Sequence, residues 1–239
     1  PVHLYGNPTN MIEIKKIINK KNIKIVEDCA QAHGSTIKKK HVGTFGDIGT
    51  YSFFPGKNLG CFGDGGAIIT NNKKYYEFVL RARNHGALKK YDHKFSGQNS
   101  RLDTIQAAIL RIKLKNYKKV LSKRNMLAKI YYKNLKNIKN IKLFNLKKNY
   151  KSCYHQFVIR TNNRNNLQSF LTNRKISTMI HYPYMLNELN FFNYKKYLSK
   201  AHKLGNKIIS LPISEEHSAK EIIHICKQIN IFFKKNYKS

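Results

Sequence analysis

Tryptophan is absent from this chain of 239 residues, prolines number five, and acidic side chains number 12 against 46 lysines and arginines. The acid deficit leaves a formal net charge of +34, which taken alone points to nucleic acid. The lysines, however, run along the whole length and come with heavy use of Asn, Ile, Tyr and Phe, residues encoded by A/T-rich codons. A biased base composition accounts for that mixture, whereas a nucleic-acid surface would cluster its charge. Nucleic acid is therefore not the expected partner, although a diffuse positive field still favours anionic ligands such as phosphates. The four cysteines (Cys29, Cys61, Cys153, Cys226) are far apart and form no C-x-x-C pair. The ten histidines show no H-E-x-x-H spacing, and Cys153 with His155 is the nearest mixed pair. This argues against a metal, and few, scattered cysteines fit a reducing, cytoplasmic setting. No apolar stretch approaches the roughly 18 residues of a membrane span, so no membrane partner is expected.

With 41% apolar residues the chain reads as globular, long enough for one large domain or two modest ones. It begins at Pro1 in patterned sequence, and a preceding segment is expected. Apolar residues at Met11, Ile14, Ile17 and Ile18 predict a helix over Met11 to Lys21. Short apolar runs predict strands at Ile23 to Val26, Gly49 to Phe53 and Ala67 to Thr70, followed by a helix over Lys73 to Arg83. This alternation predicts an α/β domain with a mostly parallel sheet flanked by helices. A long helical pattern runs from Arg101 to about Lys136, with a break or bend expected at Asn116 to Lys119. Beyond it a smaller α/β unit is expected, with strands at His155 to Arg160 and Ile176 to His181 and a closing helix over Ala219 to Phe233. The expected division is residues 1–125 and 126–239.

The chemistry concentrates in the first half. The run Ile23-Lys-Ile-Val-Glu-Asp28 delivers carboxylates at a strand end, where ligands sit in open α/β sheets. Alternation puts Glu27 and Asp28 on opposite sides; a capping role for Asp28 is the plainer reading. Lys57 lies in Ser52-Phe-Phe-Pro-Gly-Lys57-Asn-Leu-Gly60, a tight glycine-bounded turn in which Ser52 could hold a phosphate and Phe53 and Phe54 offer apolar cover. An amine and a carboxylate at neighbouring strand ends are what an enzyme using an imine-forming cofactor needs. His33, His41 and His85 are more often packing or loop residues, and Asn99-Ser100 before Arg101-Leu-Asp103 suits helix capping.

Several motifs together resemble the DegT/DnrJ/EryC1/StrS family of pyridoxal phosphate (PLP)-dependent sugar aminotransferases. They are Pro1-Val-His-Leu-Tyr-Gly6, Glu27-Asp28-Cys-Ala-Gln31-Ala-His-Gly34, Gly46-Asp47, the Lys57 turn, Gly63-Asp-Gly-Gly66, Arg83-Asn-His-Gly86, Asn99-Ser-Arg-Leu-Asp103 with Gln106-Ala-Ala108, His181-Tyr-Pro183 and Ser210-Leu-Pro212. They stand in family order over nearly the entire chain.

The resemblance implies a fold type I PLP transferase with an incomplete large domain, a smaller C-terminal α/β domain, and a homodimer with sites at the subunit interface. It implies that roughly the first third of a full-length member precedes Pro1. Carried over, Lys57 matches the Schiff-base lysine and general base, and Asp28 the partner of the pyridine nitrogen. Gln31 matches a residue near the ring hydroxyl, Ser52 a phosphate ligand, and Asn99 a phosphate contact donated by the neighbouring subunit. His181 and Tyr182 match positions near the sugar. Members that dehydrate sugars carry histidine where Lys57 stands, so lysine implies transamination. The turn is most similar to enzymes aminating a dTDP-linked 3-keto-6-deoxyhexose, with glutamate as donor, for cell-surface or secondary-metabolite amino sugars. A 4-keto-sugar enzyme and a catalytically impaired, basic nucleic-acid-binding or scaffold fragment are the alternatives. After Pro183, Met185-Leu-Asn187 replaces the family's common Pro-Leu-His.

Overall fold

The computed structural model describes residues 1–19, 21–192 and 199–236. Along the chain run α1 (Met11–Ile18), β1 (Val26–Asp28), β2 (Thr36–Ile37), β3 (Lys40–His41), β4 (Ile48–Ser52), β5 (Gly66–Ile69), α2 (Lys73–Ala82), α3 (Thr104–Leu135), β6 (Lys142–Leu143), β7 (Tyr150–Lys151), β8 (Phe157–Arg160), α4 (Arg164–Thr172), α5 (Ser199–Gly205), β9 (Ile208–Leu211) and α6 (Ala219–Asn236). They form two compact units, one of Pro1–Ser122 with Leu146–His155, the other of Lys123–Asn145 with Gln156–Ser239.

In the first unit β1 lies parallel to β4, Asp28 opposite Thr50. Val2 bridges to Asp28 in parallel beyond it, and β5 runs antiparallel along the other side of β4. The α/β class is as expected, but the pairing is more mixed than strand–helix alternation gives. The chain between β1 and β4 is long enough for the crossover that parallel strands require. Between β4 and β5 stands only the Lys57 loop, with no helix to carry the chain back, so β5 returns antiparallel. A second sheet, β3-β2-β7, is wholly antiparallel. Its β2–β3 turn places Lys38 and Lys39 at φ 48° and 68°, left-handed backbone that hairpin turns require and glycine or asparagine usually supplies.

Helix α2 starts where Asn72 Oδ1 accepts from the Lys74 and Tyr75 amides, an N-cap that satisfies two otherwise unpartnered donors. Helix α3 is one continuous element without the break expected at Asn116 to Lys119. That stretch lacks aliphatic residues, but Tyr117 takes the core position one heptad after Leu110, and both are buried. The Tyr117 hydroxyl donates to the His33 carbonyl at 2.8 Å.

The second unit holds the antiparallel sheet β6-β8-β9. Tyr131 stacks on Phe157 at 4.5 Å between ring centroids. Helix α6 buries Ile222, Ile225, Cys226, Ile229, Phe232 and Phe233, a helical-period stripe. Buried Arg124 donates through Nε and Nη2 to Glu215 Oε2 at 2.9 and 2.8 Å, and through Nη1 to the Ile213 carbonyl at 3.2 Å. The strand expected over Ile176 to His181 is not a strand: only Met179 pairs, in an isolated bridge to Ser210. Pro183, without an N–H, stops the extended segment from continuing as a ladder.

Glu27 is the most deeply committed polar group of the first unit, with no exposed surface. Its Oε1 accepts from the Phe45 and Gly46 amides at 2.7 and 2.6 Å, its Oε2 from the Gly43 amide at 2.9 Å. His3 Nε2 lies 2.9 Å from Oε2, and the Thr9 amide donates to His3 Nδ1 at 3.0 Å. Nδ1 is therefore the acceptor nitrogen, and the His3 proton sits on Nε2, aimed at the carboxylate. Burial by itself raises the Glu27 carboxyl, but the donors from His3, Gly46, Gly43 and Phe45 outweigh it and hold it below the ordinary 4.5. With the folded value below the unfolded one, the stabilisation is complete at neutral pH and fades as the pH falls from 4.5 through the folded value. Glu27→Gln, which turns a donor toward N–H groups, should cost about 2–4 kcal/mol in urea denaturation at pH 7. The gap to the wild type should narrow below pH 4.5.

Candidate active site

The carboxyl ends of β1 and β4 gather Asp28, Gln31 and Ser52, with Lys57 in the loop that follows β4. Register fixes the first step: with Glu27 turned into the core, Asp28 turns to the other side, half-buried. Asp28 Oδ1 accepts from the Ala30 amide at 2.9 Å, an Asx turn rather than a helix cap, since no helix follows β1. Gln31 is buried, and its Oε1 accepts from the Tyr5 amide at 2.6 Å. The carbonyl end of that side chain is thus anchored, and its amide nitrogen carries the remaining donors. Ser52 ends β4 half-buried, its Oγ accepting from the Phe54 amide at 3.3 Å.

The Lys57 loop is closed by backbone bonds from Lys57 N to Phe54 O (2.9 Å), Cys61 N to Phe53 O (2.8 Å) and Phe53 N to Gly65 O (2.7 Å). Gly60 packs so tightly that a Cβ would lie 2.5 Å from the Pro55 carbonyl and 2.7 Å from that of Phe54; no other residue fits there. The residue that ties the loop down is Asn58, which composition does not single out. Buried Asn58 donates through Nδ2 to the Cys153 carbonyl at 3.0 Å and meets His155 Nδ1 through Oδ1 at 3.0 Å. Its partners lie 95 and 97 residues away, so no local pattern could reveal them. Lys57 itself is half-buried. The apolar cover expected from the two phenylalanines comes only from Phe53, because Phe54 points outward at 55% exposure.

His33 is a further member that sequence reading set aside as a packing residue. Its ring lies 5.3 Å from that of Tyr51 and 5.8 Å from that of Phe53. It is 5% exposed, and neither ring nitrogen reaches hydrogen-bonding geometry among the described residues. Burial first, and the Lys57 charge second, push the ring down to about 4, although the Ser52 backbone works in the opposite sense. His33 therefore puts no positive charge beside Lys57 at neutral pH.

Asn99 is exposed, bridged to Asn84, and its Oδ1 accepts from Arg101 Nε at 3.0 Å rather than capping α3. His181 and Tyr182 belong to the second unit, their rings edge-on at 5.5 Å. His181 is half-buried, and Tyr182 is exposed. In the segment that departs from the family pattern, the Glu188 carboxylate accepts from the Met185 amide at 2.7 Å and meets His202 at 3.0 Å.

One cluster has the composition of a metal site: donor atoms of His3, Glu27 and Cys29 lie within 4.8 Å of one another. Its chemistry does not fit one. Glu27 and both nitrogens of His3 are engaged in the bonds described above. Burial, with the Glu27 charge second, pushes the Cys29 thiol up to about 12, away from the thiolate a metal requires. Among the described residues, no helix is long and apolar enough to cross a membrane.

Comparison with known proteins places this geometry in a family. Residues 1–230 match the DegT/DnrJ/EryC1/StrS aminotransferase family. The chain is 37% identical over 217 residues to the dTDP-3-amino-3,4,6-trideoxy-alpha-D-glucose transaminase of Streptomyces venezuelae, covering 89% of this chain and 57% of that protein. It is 39% identical over 231 residues to the dTDP-3-amino-3,6-dideoxy-alpha-D-galactopyranose transaminase of Aneurinibacillus thermoaerophilus, covering 96% and 63%. The crystal structure of S. venezuelae DesV in complex with a ketimine intermediate matches with a TM-score of 0.93 at 34% identity, over 97% of this chain and 64% of that one. The chain thus spans between 57% and 64% of the length of these proteins. Its fold is that of the solved relative, and the chain belongs to the DegT/DnrJ/EryC1/StrS aminotransferase family.

Proposed function

We propose that this protein transfers an amino group from glutamate to a nucleotide-linked keto sugar, dTDP-3-keto-6-deoxyhexose, with pyridoxal 5'-phosphate as the carrier. The observation that carries the reading is Lys57 on the glycine-locked loop that follows β4, with Ser52 at the carboxyl end of β4 and Asp28 at that of the paired β1. The family's enzymes depend on pyridoxal phosphate, which when bound supplies an aldehyde for the amine and a ring that accepts electrons. The residues present fit that group. Asp28 spends one oxygen on the Ala30 amide and keeps the carboxylate charge that would hold the pyridine nitrogen protonated. Gln31, with its carbonyl anchored by Tyr5, would stand near the ring hydroxyl. Ser52 would take the phosphate. In this reading the cofactor-binding domain is residues 1–125 joined by Leu146–His155, and the rest of residues 126–239 is the smaller one.

Lys57 does the proton work. Its Nζ would hold the cofactor and, once freed by the donor amine, would be the general base that takes the proton from the donor α-carbon. The same Nζ would return a proton to the sugar carbon. Neutral His33 assists by placing no second cation next to this amine. A histidine at position 57 would leave no amine for the carrier, so Lys57 supports transamination over dehydration.

The sugar assignment draws on the two transaminase relatives, both named for dTDP-3-amino sugars, with His181 and Tyr182 on the substrate side. The homodimer is part of the same reading: Asn99 is exposed, as a phosphate contact lent to a neighbouring subunit must be.

Borohydride reduction of the purified protein with pyridoxal phosphate should label the peptide containing Lys57, and Lys57→Ala should lose both label and turnover, the latter by roughly three orders of magnitude. A label elsewhere refutes the reading. Asp28→Asn should lower kcat roughly a hundredfold or more while cofactor absorbance is largely kept; wild-type turnover in that variant would contradict the role of Asp28. Offered dTDP-linked 3-keto and 4-keto 6-deoxyhexoses, the enzyme should aminate the first, and a 4-amino product would shift the assignment.

A further inference from the structure

Within the first unit, two polar side chains interrupt the buried stripe of α3. Leu110 and Tyr117 are buried on it, and Gln106 and Lys113 alternate with them at helical spacing, both half-buried. A polar residue on such a stripe breaks the pattern that packing prefers, and natural chains tolerate the break where the residue serves a site. What these two meet is the segment by which the Lys57 loop returns toward β5. Gln106 Oε1 accepts from the Phe62 amide at 2.8 Å, and a Cβ on Gly63 would stand 3.1 Å from Gln106 Nε2. Lys113 Nζ donates to the Gly60 carbonyl at 2.6 Å and lies 4.9 Å from the centroid of the Phe62 ring. An ammonium bound to one carbonyl and faced by an aromatic ring makes a stronger tie than a neutral donor would. Leu59 and Cys61 of the loop are buried with Leu110 and Tyr117 of the helix in one apolar cluster.

The contacts continue as far as the reactive residue. Gly60 packs against the Pro55 and Phe54 carbonyls at distances that leave no room for a Cβ. The same Phe54 carbonyl accepts from the Lys57 amide at 2.9 Å. A displacement of Gly60 therefore moves the carbonyl from which the Lys57 backbone hangs. We infer that Lys113, with Gln106 beside it, is a positioning residue for Lys57: from α3 the pair fixes the return of the loop, and through Gly60 and Phe54 it sets where the reactive amine stands. Asn58 holds the first part of the loop from the segment Leu146–His155, and α3 holds its far end. In a chain so rich in lysine, Lys113 is set apart by its bond to the loop and not by its charge. The importance of placing Lys57 rests on the transaminase reading; the hold of α3 on the loop does not.

Lys113→Met keeps a long apolar stem and removes the donor. Hydrogen exchange read by mass spectrometry, on the purified protein without added cofactor, should show the amides of residues 54–63 opening roughly tenfold more readily, the loss of one charge-assisted hydrogen bond. Peptides of the second unit should exchange as in the wild type. With pyridoxal phosphate and the keto sugar, kcat should fall roughly tenfold while KM is nearly kept, as a misplaced reactive group requires. Lys113→Arg, which returns a charged donor to the Gly60 carbonyl, should recover most of both losses. Gln106→Leu should loosen the same peptides, whereas Gln106→Glu, which still accepts from Phe62, should not; this pair decides the matter if Lys113→Met is poorly folded. Unchanged loop exchange in folded Lys113→Met, faster exchange spread evenly over the chain, or no recovery in Lys113→Arg would each overturn the inference. Borohydride labelling separates the two readings. A wild type that is not labelled at Lys57 condemns the transaminase proposal, since the exchange measurement needs no cofactor. A labelled wild type with an undisturbed loop in Lys113→Met condemns only this one.

Discussion

A buried carboxylate organises the first unit. Glu27 sits at the middle of a three-residue strand and collects three amides from the turn at Gly43, Phe45 and Gly46, plus the His3 ring. An ionised group without exposed surface is tolerable only when donors replace its water, so the turn cannot loosen without stranding the charge. That turn leads directly into β4, which β1 then pairs in parallel. Because side chains alternate along a strand, burying Glu27 commits Asp28 to the opposite face. The acid proposed to meet the cofactor is thus aimed by its neighbour's need for amides.

The amine is aimed differently. Lys57 belongs to no strand or helix, and its loop would be mobile if backbone turns alone held it. Two restraints act beside it. Gly60 lets two carbonyls approach to distances no Cβ would allow, and Asn58 is clamped by Cys153 and His155 from the segment Leu146–His155. That segment returns to the first unit after the chain has already contributed to the second. It also adds β7 to the β2–β3 hairpin, so one excursion of the chain both completes a sheet and fixes the reactive loop.

Much of this was legible from residues alone. The acid-bearing strand end, the lysine turn, the helix α2 and the apolar stripe of α6 all rest on local rules of alternation, helical period and turn chemistry, and each lies within a residue or three of its expected place. What stayed hidden rests on other physics. The β2–β3 hairpin turns on Lys38 and Lys39, residues that no turn rule selects. The continuity of α3 depends on Tyr117 serving as a core residue in a run otherwise read as polar. The expected strand at Ile176 to His181 shrank to one bridge, between Met179 and Ser210, since an apolar run does not show how many of its residues will find a partner. Asn58 and His33 acquire meaning only from partners remote in sequence.

The scarcity of acids is itself informative once the structure is known. Of 12 carboxylates, those of Glu27, Asp28, Asp47, Glu188 and Glu221 accept backbone amides, and Glu215 neutralises the buried Arg124. Drift in base composition can add lysines wherever a side chain reaches water, at little cost to folding. It cannot remove an acid that replaces water for a buried or turn amide without leaving that donor unsatisfied. The surplus of +34 therefore accumulates on surface positions, while half of the few acids that remain are tied to backbone amides or to a buried guanidinium. On this argument the charge imbalance records what the surface tolerates, and the retained acids record what the fold and its site require.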